Sequence, residues 1–253
     1  MTPNVRLVAY DLDDTLAPSK APLDPRMAEL LVRLLDVVPV CVISGGQFGQ
    51  FQSQLIANLP TTGEAQLERL HLMPTCGTQY YRYEADTWVQ VYAETLTDDE
   101  KERALTALAD EAKKLGLWET DTWGPVLEDR ESQITFSALG QAAPVDAKSA
   151  WDPTGEKKES LRAAVAALLP DLEVRSGGST SVDITRKGID KAYGMNRLAE
   201  LTGIPLADML FVGDRLDEGG NDYPVKALGV PTRAVEGWQD TATFVEGFLA
   251  ERS

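Results

Sequence analysis

The chain has 253 residues, 43% of them hydrophobic, enough for one domain with a large insertion or for two domains with packed cores. A formal charge of −16 excludes broad nucleic-acid binding, which needs a surplus of Lys and Arg near phosphates. Two cysteines and one histidine exclude a disulfide framework and a histidine-rich metal centre, and a catalytic triad would have to use His71, which lies inside an apolar run.

Cys41 and Cys76 lie in apolar surroundings as reduced core residues, and His71, inside Leu70-His71-Leu72-Met73, reads as structural. Chemistry is left to carboxylates, Lys, Arg and hydroxyls. No apolar run approaches the roughly 18 residues of a membrane helix, and the N-terminus lacks a basic-then-apolar leader, so a cytoplasmic protein without membrane contact is expected.

Val5–Tyr10 predicts a buried strand, and Asp11-Leu12-Asp13-Asp14-Thr15 follows it. Residues two apart in an extended segment point the same way, so Asp11 and Asp13 face one cavity beyond the strand tip. One carboxylate can attack phosphorus while the other handles the proton of the leaving oxygen. Open α/β sheets place their sites at such strand ends.

A helix over Pro25–Leu35, a strand over Val38–Ile43, a helix over Phe48–Asn58 and a strand over Leu70–Met73 continue the alternation, which implies a parallel sheet with helices on its faces. Ser44-Gly45-Gly46 ends the second strand. Such a turn can hold phosphate oxygens with its N–H groups and hydroxyl, or it is an ordinary serine-capped turn.

The middle differs. Trp88–Tyr92, Gln133–Ala138 and Ser181–Ile184 read as half-buried strands. Two helices carry apolar stripes, Leu105, Leu108, Ala112 and Leu115 on one and Leu161, Val165 and Leu168 on the other. An antiparallel sheet with helices on one face and a polar opposite face is the economical reading. It gives an α+β cap at 85–185, inserted into a doubly wound, Rossmann-like α/β core built from 1–84 and 186–253.

Toward the C-terminus come a helix over Asp190–Leu201, a strand over Met209–Val212, a helix from Tyr223–Ala227, a strand over Pro231–Val235 and a closing helix over Asp240–Glu251. Asp214 leaves the Met209–Val212 strand, and Asp222 ends the loop Gly219-Gly220-Asn221-Asp222. With Asp11 they supply the few oxygen ligands that Mg²⁺ takes beside water and phosphate. Lys187 and Lys191 both stand where the chain re-enters the core, and either can offset nucleophile–phosphate repulsion.

These elements in this order resemble the haloacid-dehalogenase superfamily, in the subgroup with the larger α/β cap. Gly213-Asp214 with its loop to Gly219-Gly220-Asn221-Asp222, Gly177–Asp183, and Gly188-Ile189-Asp190-Lys191 are similar to the eukaryotic-type α-phosphomannomutases within it. The resemblance implies Asp11 as nucleophile, Asp13 as general acid and base, and Ser44 and Lys191 on the transferring phosphoryl group, with Gly45 and Gly46 in the phosphate turn. It implies Mg²⁺ held by Asp11, the Asp13 backbone carbonyl and Asp214, supported by Asp222. Arg130, Ser181 and Asp183 would touch the sugar phosphate from the cap. Val182 and Ile184 can pack inward while Ser181 and Asp183 face the cleft.

The chain departs from that family where Gln141 and Ala147 or Lys148 fall at expected arginine positions. Lysine lacks the forked grip of guanidinium and glutamine lacks its charge, although Arg162, Arg175 or Arg186 can substitute. The expected activity is therefore Mg²⁺-dependent hydrolysis of a small sugar phosphate through an aspartyl-phosphate. The alternative is interconversion of mannose 6-phosphate and mannose 1-phosphate, and a non-catalytic sugar-phosphate binder ranks third. A monomer or homodimer is expected.

Overall fold

A computed structural model describes residues 5–60 and 63–252. The chain forms two compact units. One joins residues up to Ala93 with those from Ile189 onward, and the other is Glu94–Gly188.

The first unit is a seven-stranded sheet in the order β11-β10-β1-β2-β3-β4-β5. Its strands are β1 (Leu7–Tyr10), β2 (Val40–Ile43), β3 (Leu70–Met73), β4 (Gln79–Glu84), β5 (Thr87–Ala93), β10 (Met209–Gly213) and β11 (Thr232–Ala234). The run from β11 to β3 is parallel, and β4 and β5 add an antiparallel hairpin.

Because β1 is central, all four of its residues are buried, and their directions alternate. Val8 and Tyr10, with Val40, Val42, Leu70 and Leu72, pack against α1 (Pro25–Val37) and α9 (Trp238–Ala250). Leu7 and Ala9, with Cys41, Ile43 and Met73, pack against Met195 and Leu198 of α7 (Lys191–Thr202) and Val225 of α8 (Tyr223–Ala227).

Asp24 caps α1 by accepting from the Arg26 N–H at 2.9 Å, with Pro25 at the first helical position. Six α1 side chains are buried, each aliphatic one contributing about 1.5–3 kcal/mol. The helix read over Phe48–Asn58 is instead α2 (Phe48–Gln54), a break at Leu55, and a 3-10 turn at Ile56–Asn58. A short α3 (Glu64–Leu67) precedes β3.

Trp88–Tyr92, read as a cap strand, belongs to β5 of this first sheet, so the cap boundary moves from residue 85 to residue 94. Ala85 and Asp86 both have positive φ, 47° and 62°, as a two-residue type I′ turn requires. That turn sends the chain straight back along β4.

The second unit is a four-stranded antiparallel sheet, order β6-β7-β9-β8, made of β6 (Leu127–Asp129), β7 (Gln133–Ser137), β8 (Leu172–Ser176) and β9 (Ser181–Arg186). Its core joins Ile134, Phe136, Val174, Val182 and Ile184 to Leu108 and Ala112 of α4 (Asp98–Lys114) and Leu161 and Val165 of α6 (Glu156–Leu168). A short α5 (Val145–Trp151) adds Trp151. Leu115 and Leu168, assigned above to the apolar stripes, are exposed, and Leu117 and Leu169 are buried in their place. Thr97 and Glu100 form a capping box at the start of α4.

Candidate active site

Parallel pairing fixes the site at one end of the sheet. Tyr10 stands opposite Val42 and Val212, and the Asp11 N–H donates to the Val212 carbonyl at 3.0 Å. The residues leaving β1, β2 and β10, namely Asp11, Ser44 and Asp214, therefore emerge together. Lys191 joins them as the first residue of α7, behind Asp190, whose side chain caps the helix by accepting from the Tyr193 N–H.

Lys191 is 1% exposed, and its Nζ lies 2.7 Å from Asp11 Oδ1 and 2.6 Å from Asp222 Oδ1. Asp222 is fully buried, and its other oxygen accepts from the Arg215 N–H at 3.1 Å. Gly213 is required beside it, since a Cβ there would sit 2.3 Å from Asp222 Oδ2. Burial pushes Asp11 well above the usual carboxylate range, to about 8, with the Lys191 charge opposing and the Asp222 charge adding. Burial alone would lower Lys191, but its two carboxylate partners raise it overall, so it stays protonated. Asp214 is raised by partial burial and by Asp222.

Carboxylate oxygens of Asp11, Asp214 and Asp222 lie within 4.8 Å of one another, a set that can hold a metal ion. With all three carboxylates ionised against one ammonium, two negative charges remain for a divalent cation to offset. Thr15, fully buried, donates from Oγ1 to Asp214 Oδ1 at 3.3 Å and was not singled out from the sequence.

The Asp13 carboxylate lies outside that cluster. Its Oδ1 accepts from the Lys20 N–H at 2.7 Å and Gln54 Nε2 at 3.0 Å, and its Oδ2 accepts from Gln50 Nε2 at 2.9 Å. Gln50 and Gln54 carried no signal beyond their four-residue spacing on one helical face. Ser44 is buried at the tip of β2, where its Oγ accepts from the Gly46 N–H at 3.2 Å. Lys187 is exposed within the second unit, which leaves Lys191 as the lysine of this cluster.

Within the second unit, odd-numbered residues of β7 and β9 make the polar face. Thr135 Oγ1 donates to Asp183 Oδ1 at 2.7 Å, and Ser137 Oγ meets Ser181 Oγ at 3.3 Å. Gln141 donates to Ser137 Oγ, and Lys148 Nζ donates to the Gln141 carbonyl at 2.9 Å. Arg130 is paired with Glu128 at 2.6 Å. No helix among the described residues is long and apolar enough to cross a membrane.

The family model for eukaryotic phosphomannomutase matches residues 27–251, from α1 to α9, leaving β1 and its two carboxylates outside the match. A phosphomannomutase of Schizosaccharomyces pombe is 26% identical over 226 residues, covering 87% of this chain and 84% of its own. Phosphomannomutase 1 of Homo sapiens is 24% identical over 233 residues, covering 87% and 83%. Among solved structures, a haloacid dehalogenase-like hydrolase from Bacteroides thetaiotaomicron shares the fold with a TM-score of 0.62 at 15% identity, over 96% of this chain and 99% of its own. A C-terminally truncated IMP-nucleotidase of Plasmodium falciparum does so with a TM-score of 0.74 at 16% identity, over 97% and 71%.

Proposed function

The chain belongs to the eukaryotic phosphomannomutase family, and on that premise we propose that it moves the phosphoryl group of a hexose phosphate through Asp11 and returns it to the sugar. It is a haloacid-dehalogenase-type phosphoryl-transfer enzyme of the phosphatase or phosphomutase kind. The non-catalytic binder is set aside. Membership of the phosphomannomutase family favours the mutase over the hydrolysis expected from the sequence.

The observation that carries the chemistry is the buried Asp11–Lys191–Asp222 trio with Asp214 beside it. Asp11 attacks phosphorus, forming an Oδ–P bond as the bond from phosphorus to the sugar oxygen breaks. The electron pair stays on that oxygen, which takes a proton from Asp13. Lys191, Ser44 and the N–H groups of Gly45 and Gly46 hold the phosphoryl oxygens in line. Asp13 then removes the proton of the acceptor hydroxyl as the aspartyl-phosphate is cleaved. Asp11, Asp214 and the Asp13 carbonyl, with Asp222 behind them, would hold a Mg²⁺, which would supply further charge neutralisation.

One observation favours water as the acceptor. Every arginine of Glu94–Gly188 already holds a carboxylate: Arg103 with Asp171, Arg130 with Glu128, Arg162 with Glu159, Arg175 with Glu173 and Arg186 with Glu100. A mutase must grip the far phosphate of its substrate, and each of these arginines would first have to give up or share its carboxylate. Incubation with mannose 1-phosphate and Mg²⁺, with and without a hexose bisphosphate, separates the fates. Mannose 6-phosphate formed only with the bisphosphate supports the mutase; free phosphate in proportion to substrate consumed replaces it with the hydrolase. Turnover surviving Asp11→Asn would refute both.

A further inference from the structure

Asp13 is held by a chain of amides whose orientation is forced. Gln50 Nε2 has two hydrogens, one donated to Asp13 Oδ2 and the other to Gln54 Oε1, both at 2.9 Å. With Gln54 Oε1 so engaged, its Nε2 must turn toward Asp13 Oδ1, at 3.0 Å. Neither amide can flip without losing a partner. The helix that carries them is anchored in the core by Phe51, fully buried between them, and by Leu55 just beyond. Gln54 itself is 2% exposed, an unusual site for a glutamine without a task.

The Gln50 amide also packs on the phosphate turn. A Cβ on Gly46 would stand 2.2 Å from Gln50 Oε1, so the bare glycine makes the room in which that amide lies. One side chain thus bridges the turn after β2 and the carboxylate after β1. An amide fixes the direction of a carboxyl group through hydrogen bonds and brings no net charge.

We propose that Gln50 and Gln54 are positioning residues that aim Asp13 at the leaving oxygen and keep its carboxylate apart from the Asp11, Asp214 and Asp222 cluster. This assignment rests on the reading of Asp13 as the general acid and base. It implies that the pair matters where proton donation matters, for a sugar alkoxide, and little where the leaving group departs unaided.

The test is turnover by Gln50→Met, Gln54→Met and the double variant, with Mg²⁺, on mannose 1-phosphate and on p-nitrophenyl phosphate. The double variant should lose about 10- to 100-fold in kcat on the sugar phosphate, part of the 10²–10⁴ that acid–base catalysis typically supplies, with KM within about twofold. On the aryl phosphate the loss should stay under about threefold. In an Asp13→Asn background the same substitutions should cost nothing more, since they act through that carboxyl group. Equal losses on both substrates, no loss on the sugar phosphate, or a full further loss in the Asp13→Asn background would overturn the proposal. Should Gln54→Met not fold, Gln50→Met, at a partly buried position, carries the comparison alone. Aryl phosphatase activity that survives Asp11→Asn would instead refute the phosphotransferase reading, and this proposal with it.

Discussion

Replacing Lys191 by methionine keeps its volume and removes the one cation between two buried acids. At the observed 2.7 and 2.6 Å, each attraction amounts to about 6 kcal/mol with an effective dielectric constant of about 20. Asp11 and Asp222, with oxygens within 4.8 Å, then repel by about 3.5 kcal/mol or more on the same scale. Much of this is offset by the desolvation of the lysine itself, and breaking a buried pair typically costs about 3–5 kcal/mol. The sign with pH follows from the direction of the shift. Acids whose folded pKa is raised favour folding below their unfolded value, near 3.9, and lose that advantage as pH rises through the folded value. Lys191 holds the Asp11 pKa down against burial, so its loss raises that pKa beyond about 8; both proteins keep Asp11 protonated well below pH 8, and the deficit of the variant should grow as pH rises above about 8. Urea denaturation with EDTA, at pH 5 and pH 9.5, reads it. Added Mg²⁺ should restore part of the stability at the higher pH. A loss under about 1 kcal/mol at pH 9.5, or one independent of pH, would refute the electrostatic account.

Tyr10→Phe removes a buried hydroxyl that finds no partner among the described residues, so urea midpoints should rise, by about 1 kcal/mol or less in stability. Gly194→Ala would place a Cβ 2.2 Å from Ile43 Cδ1 and 2.7 Å from the Cys76 carbonyl; the overpacking, about 1–3 kcal/mol, outweighs the helix propensity of alanine, and a melting temperature that rises would contradict it. His71 is held neutral by burial and by the Arg82 charge, its pKa lowered to about 3, so wild-type stability should fall as pH drops from about 6.5 toward 3 while the unfolded chain takes up the proton. His71→Gln should show a flatter acid limb in the same denaturation series; an unchanged limb argues against that role.

The parallel strands were legible because both faces of each are buried: Leu70–Met73 was read with the bounds it has, and Val40–Ile43 and Met209–Gly213 within two residues. The three acids were legible because strand tips and a tight loop locate them, whereas Lys191 was separated from Lys187 only by the family resemblance. β4 and β5 were not. Their alternation, from Gln79 to Ala93, looks like that of the cap strands, and the turn between them is Ala85-Asp86, with neither Gly nor Asn to announce positive φ. Gln50 and Gln54 escaped notice because a glutamine on a short helix ordinarily faces water; only the folded loop after β1 gives them an acid to hold. Of the paired arginines in the cap, Arg130, Arg162 and Arg175 have their glutamates two or three residues away in the sequence, whereas Arg103–Asp171 and Arg186–Glu100 join residues far apart in the chain and show only in the fold.

Each unit has its own nucleus of buried side chains: Ile134, Phe136, Leu161, Val165 and Ile184 belong to one, the α1, α7 and α9 contacts to the other. Cooperativity should therefore be local to each unit, with calorimetry resolving two transitions in place of one. Only the transition of the first unit should respond to Lys191→Met, and a single melting temperature fitted to the whole chain would average that response with a reporter that never feels it.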